Sequence, residues 1–72
     1  MTLRLHRRVY RGASIRVAKD AFAELATITL SRDGDYTVVG FKDVDPDVSD
    51  VIVQEFANYA LAESIEARGN VT

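Results

Sequence analysis

Residues 47–68, DVSDVIVQEFANYALAESIEAR, constrain this chain more than any other stretch. They hold no glycine and no proline, so nothing interrupts a helix of about six turns. On a helical wheel Ile52, Val53, Phe56, Tyr59 and Ala60 form one apolar stripe. Val51, Leu61, Ala62 and Ile65 fall outside it on the far side, with Asn58 between Val51 and Ile65. A helix packed on one sheet buries a single stripe roughly 100° wide. Here nearly two stripes are apolar. The first is expected to close a core, and the second to meet either another helix of the same chain or a second chain. A polar residue such as Asn58 inside an apolar seam sets register between two helices at some cost in stability. Its other role is a rim hydrogen bond to a neighbouring loop.

Length sharpens that expectation. With 72 residues the chain forms one domain, residues 1–72. A domain this small buries only about 60% of the surface its unfolded form exposes. Small folds compensate with disulfides, a metal or partners. There is no cysteine and a single histidine, which removes disulfides and thiolate metal sites and argues against structural zinc. No cofactor is expected. Association, as a homo-oligomer or in a complex with another protein, is the remaining route.

The rest of the chain reads as short elements. Residues 2–10 alternate as a half-buried strand does, with Leu3, Leu5 and Val9 on one face and Arg4, His6, Arg8 and Tyr10 on the other. Gly12 breaks this strand, and Ser14 is placed to cap a helix over residues 15–25. Its apolar residues Ile15, Ala18, Ala21, Phe22, Leu25 and Ala26 make one stripe. Residues 27–31 form a β-branched strand. Asp33-Gly34 favours a two-residue hairpin turn, and residues 36–42 form the returning strand. With the turn at Asp33-Gly34, Leu30 lies opposite Thr37, Ile28 opposite Val39 and Ala26 opposite Phe41. Ile28, Leu30, Val39 and Phe41 then share the core face, leaving Tyr36 and Val38 on the outer face with Thr27, Thr29 and Tyr10. Pro46 ends the sheet, Asp47 or Ser49 caps the long helix, and Gly69 stops it at C′. Residues 70–72 are expected as a loose tail.

The order strand, helix, strand, strand, helix predicts an α+β fold. It is the ferredoxin-like pattern without its last strand. The expected sheet is antiparallel in type, with strand order 1-3-2, two helices on one face and two open edges. Uncovered edge strands invite pairing with another chain.

Charge excludes several function classes. Net charge is −2, yet residues 1–16 carry Arg4, Arg7, Arg8, Arg11 and Arg16 with no acid, and residues 43–50 carry Asp43, Asp45, Asp47 and Asp50 with no base. In a neutral-to-acidic domain the arginines do not make a phosphate-tracking stripe, so no nucleic acid is expected. They suit a basic strand facing an acidic neighbour, in this chain or another. The aspartates lack the glycine and the terminal glutamate of a calcium loop and read as helix-start residues. No apolar run approaches the ~20 residues of a membrane span, and no secretory signal is evident. No membrane association and a cytoplasmic location are the expectation. His6 has no carboxylate or nucleophile beside it in sequence, which favours a surface or partner-facing role over catalysis.

Two segments resemble the HxsD family of small accessory proteins from His-Xaa-Ser peptide-modification systems. The first runs from Tyr10 into a helix carrying Ile15, Ala18, Phe22 and Ala23. The second is EFANYAL, residues 55–61, with Arg68 further on, and the D-Y-x-V-V run of residues 35–39 also fits. The resemblance implies a bacterial cytosolic protein encoded beside radical-SAM maturases that modify a repeat-bearing precursor peptide. It carries over no catalytic residue.

These observations lead to a non-catalytic accessory module that binds a precursor peptide or a protein partner. It would do so by strand addition or through the second helix stripe. The expected interface residues are Val51, Asn58, Leu61, Ala62 and Ile65 on the helix, and Arg4, His6, Tyr36 and Val38 on the sheet. The alternative is a homodimeric scaffold with no peptide-binding role. An enzyme is not expected, because no base, nucleophile or metal set converges in sequence.

Overall fold

The computed structural model describes the backbone of residues 1–69 and the side chains of residues 1–66. The elements run β1 (Thr2–His6), α1 (Gly12–Ala21), β2 (Thr27–Asp33), β3 (Tyr36–Lys42) and α2 (Ile52–Gly69). The sheet order is β1-β3-β2, with both neighbouring pairs antiparallel. The fold is therefore α+β in the predicted order, and the two helices pack against each other. The expected tail, residues 70–72, lies outside the described residues.

The core lies between one face of the sheet and the helix pair. Leu5, Ile28, Val39 and Phe41 come up from the strands and meet Ile15 and Ala18 of α1 and Ile52, Phe56 and Ala60 of α2. Phe56 is fully buried and sits edge-on to two rings, Phe41 at 5.4 Å and Phe22 at 5.5 Å between centroids. Burying such a side chain contributes about 1.5–3 kcal/mol, and each ring pair adds about 0.5–1.5 kcal/mol. Phe22 also meets Tyr59 edge-on at 5.7 Å, which joins the end of α1 to α2. The fourth member of the buried row Ile52, Phe56, Ala60 is Ser64, which is fully buried too.

The hairpin differs from expectation in register. Observed partners are Leu30 with Val39, Ile28 with Phe41 and Arg32 with Thr37, two residues away from the predicted pairing. The turn residues are Gly34 and Asp35, because Asp33 pairs with Tyr36. Gly34 has φ +60°, whereas neither Asp33 nor Asp35 has positive φ. A turn with glycine first needs one residue with positive φ, whereas Asp33-Gly34 as the loop would need two, one of them a non-glycine. The longer hairpin also lets the carbonyl of Asp35 accept the N–H of Arg7 at 2.9 Å. A shift of two preserves the side-chain alternation, so the predicted core face is the one observed.

β1 stops at His6, four residues before the predicted end. The His6 carbonyl accepts the N–H groups of Val9 and Tyr10, and its Nδ1 accepts the N–H of Arg8 at 3.1 Å. This tight turn interrupts the alternation. Val9, expected in the core, is exposed, and Tyr10, expected on the outer face, packs against the core.

Both helix starts also move. α1 begins at Gly12, with Arg11 as an N-cap lacking any side-chain hydrogen bond, and it ends at Ala21. Ser14 is buried within the first turn rather than capping it, and Ala21 is exposed despite its place in the predicted stripe. The Arg11 N–H is instead held by Ser64 Oγ of α2 at 3.0 Å, while Ser64 Oγ donates to the Ala60 carbonyl at 2.9 Å. Before α2, Asp45 Oδ1 accepts the N–H of Asp47 at 2.9 Å and Ser49 Oγ donates to the Pro46 carbonyl. The side chains of Asp45 and Ser49 thus serve turns, Asp47 gives its N–H to one of them, and α2 starts only at Ile52, beyond both expected caps.

Candidate partner-binding surfaces

The predicted interface residues fall into two separate patches. Arg4, His6, Tyr36 and Val38 lie on the outer sheet face, opposite in alternation to the core residues Leu5 and Val39. Asn58, Ala62 and Ile65 lie on the flank of α2 that points away from its buried row, and Val51 lies in the turn just before the helix. Val51 is 43% and Ile65 57% exposed. Leu61 is half-buried. The sheet and helix layers stand between the two patches, so one small ligand cannot touch both.

On the sheet, register brings the outer residues into rows. Arg4 pairs with Val38 and His6 with Tyr36 on β3, while Asp33 of β2 also pairs with Tyr36. Arg4 Nη2 reaches across to Asp33 Oδ2 at 3.2 Å. The Arg4 guanidinium carbon sits 4.6 Å from the Tyr36 ring centre, and the His6 ring meets Tyr36 edge-on at 5.0 Å. Arg7 approaches Asp35 at 3.9 Å. The acids that face the basic N-terminal strand therefore come from the hairpin tip, not from residues 43–50. Because Asp33 already offsets Arg4, the face offers an aromatic surface with a shared cation more than a free anion site. His6 Nδ1 is occupied by the Arg8 N–H, and its ring packs on Tyr36.

The two borders of the sheet form a third surface. Phe41 N–H donates to Met1 O and Arg7 N–H to Asp35 O, so odd-numbered residues of β1 bond to β3. Backbone bonding alternates along an antiparallel strand, so the N–H and C=O groups of Thr2 and Arg4 face outward. By the same alternation, closing the hairpin at Asp33 and Tyr36 turns the groups of Ile28, Leu30 and Arg32 outward from β2. The borders are unlike. Side chains beside the free groups lie on the outer face at β1 and on the helix face at β2.

Beside β2, between it and the start of α1, runs a shallow groove of about 240 Å³. Ile15 and Leu30 provide its apolar lining, Arg16 and Arg32 its cations, and Gly12 and Thr37 lie along it. Neither Arg16 nor Arg32 has an ion-pair partner among the described residues. The sequence held a signal for Arg32, a cation continuing the inward series Ile28, Leu30, Arg32. Its meeting with Arg16 depends on how α1 crosses the sheet. Among the described residues no three histidine or acidic side chains gather as a metal site, and no helix is long and apolar enough to cross a membrane. Compared with family models, curated proteins and solved structures, the chain matches none.

Proposed function

We propose that this chain is a non-catalytic accessory module that binds a protein or an extended peptide. The observation that carries the reading is the three-stranded sheet with both borders unpaired among the described residues. Main-chain groups at Thr2 and Arg4 on one side, and at Ile28, Leu30 and Arg32 on the other, are set for an added strand. The exposed flank of α2 supports a further contact with a partner helix. The resemblance of residues 10–23, 35–39 and 55–61 to the HxsD family supplies the context, a cytoplasmic complex of precursor peptide and radical-SAM maturase.

Titration of the isotope-labelled chain with candidate precursor peptides and maturases tests this. The expected result is amide shifts that run along β1 or β2, with or without α2. Saturating partner without shifts on any of these elements refutes the module.

A second reading is a homodimeric scaffold joined through the α2 flank. It is favoured by the exposure of Val51 and Ile65, with Asn58 between them as a register-setting polar group. Sedimentation at micromolar concentration separates the two. A stable dimer that Ile65→Lys dissociates, with no response to peptide, supports the scaffold.

A further inference from the structure

We infer that the β2 border takes an extended segment with an acidic side chain two residues from an apolar one, and that the acid is held between Arg16 and Arg32. This rests on the binding-module reading and deepens it by naming the border and the chemistry of the partner.

The choice of border follows from what each offers. On β1, the carbonyl of His6 is already occupied by Val9 and Tyr10, so its free stretch ends at Arg4. On β2, the outward groups of Ile28, Leu30 and Arg32 form a longer uninterrupted ladder. A strand added there lies about 4.8 Å from β2. Its side chains on the helix side enter the groove next to Ile15, Leu30, Arg16 and Arg32.

The pattern follows from the register of that ladder. Residues directly opposite each other on neighbouring strands have Cβ atoms about 4.5–5.5 Å apart. The added residue opposite Arg32 therefore lies within reach of its guanidinium, with Arg16 approaching from α1. Two cations without ion-pair partners favour a carboxylate, which accepts paired N–H bonds from a guanidinium. Two residues on, the next inward side chain lies opposite the half-buried Leu30, beside the already buried Ile15, where an apolar group removes Leu30 from water. For a segment antiparallel to β2 the order is acid, any residue, apolar; for a parallel one it is the reverse. The groove between β2 and α1 thus reads one charge and one apolar group, and the backbone supplies the rest.

The test uses the full chain, isotope-labelled, with three nine-residue peptides. Each alternates valine and threonine, is blocked at both ends, and differs only in one central inward position, glutamate, glutamine or lysine. The expected outcome is that the glutamate peptide shifts the amides of Ile28, Leu30 and Arg32 and binds about 10-fold more tightly than the glutamine peptide. Arg32→Gln and Arg16→Gln should each remove most of that preference while leaving the circular dichroism spectrum unchanged, because both side chains are exposed. Equal affinity for glutamate and glutamine peptides overturns the inference. So do shifts at Thr2 and Arg4 instead of β2, although that result leaves the module reading standing. Acetate or inorganic phosphate that perturbs Arg16 and Arg32 as strongly as the glutamate peptide, with no change along β2, overturns it in favour of a bare anion site. Silence toward all three peptides, with a natural partner binding at β1 or α2, also removes the inference alone.

Discussion

Ser64→Ala deletes one buried oxygen and changes little else. Ser64 Oγ holds the Arg11 N–H at 3.0 Å, so the hydroxyl joins α2 to the residue that opens α1. Without it, that partly buried N–H loses its acceptor, a cost of about 1–3 kcal/mol depending on access of water. The lost donation to the Ala60 carbonyl matters less, since that carbonyl lies within the helical ladder of α2. Alanine returns about 0.5 kcal/mol through its higher helix propensity. Partial burial places the cost in the lower half of its range, so the expected net loss is about 0.5–1.5 kcal/mol. A domain of this size has a total stability of about 4–11 kcal/mol, and the melting temperature should fall by roughly 3–10 °C. Urea unfolding gives the free energy, and hydrogen exchange at the Arg11 amide gives the location. Asn58→Ala, on the exposed side of the same helix, controls for propensity and should be neutral or slightly stabilising. The reasoning fails if Ser64→Ala is as stable as the parent and the Arg11 amide exchanges no faster.

Phe56→Ala should cost about 3–5 kcal/mol, a large share of the total, so calorimetry should find the melting temperature lowered by roughly 20–30 °C. Gly34→Ala should destabilise by about 1–2 kcal/mol, because the turn holds that residue at φ +60°. Gly12→Ala should have the opposite sign, a gain of about 0.4–1 kcal/mol, since a Cβ there meets nothing within 4 Å and the helical backbone suits alanine. Denaturant midpoints for this pair test the positive φ at Gly34 against the helical backbone at Gly12. Arg4→Gln removes the exposed pair with Asp33 and the contact over Tyr36; the loss should stay below about 1 kcal/mol and shrink at about 1 M salt.

Element order, strand order and the core face were legible because they depend on alternation, which survives errors of two residues. Ile28, Val39, Phe41, Ile52 and Phe56 are buried as their periodicity implied. The hairpin register was not legible from the Asp-Gly pair alone. The deciding factor was how few residues the turn forces to positive φ, together with the bond from Arg7 to Asp35. Val9 and Tyr10 exchanged roles because the turn after His6 ends the alternation early, and nothing in RRVYR marks that turn. Ser64 was invisible for a different reason. A serine near a helix end reads as solvated, and its value lies in a residue 53 positions away. The candidate surfaces divide in the same way. The exposed α2 flank follows from the wheel, whereas the groove beside β2 exists only once α1 is laid across the sheet.

The unlike borders of the sheet also bear on how this protein behaves when concentrated. If β2 of one copy lay along β1 of the next, the far side of that next copy would present a fresh β2, and growth would have no built-in stopping point. Arg4 stands on one margin and Arg32 on the other, and cations at exposed margins discourage such stacking. Arg32, to which a foreign acidic strand is assigned above, would thereby also work against polymerisation of the chain with itself.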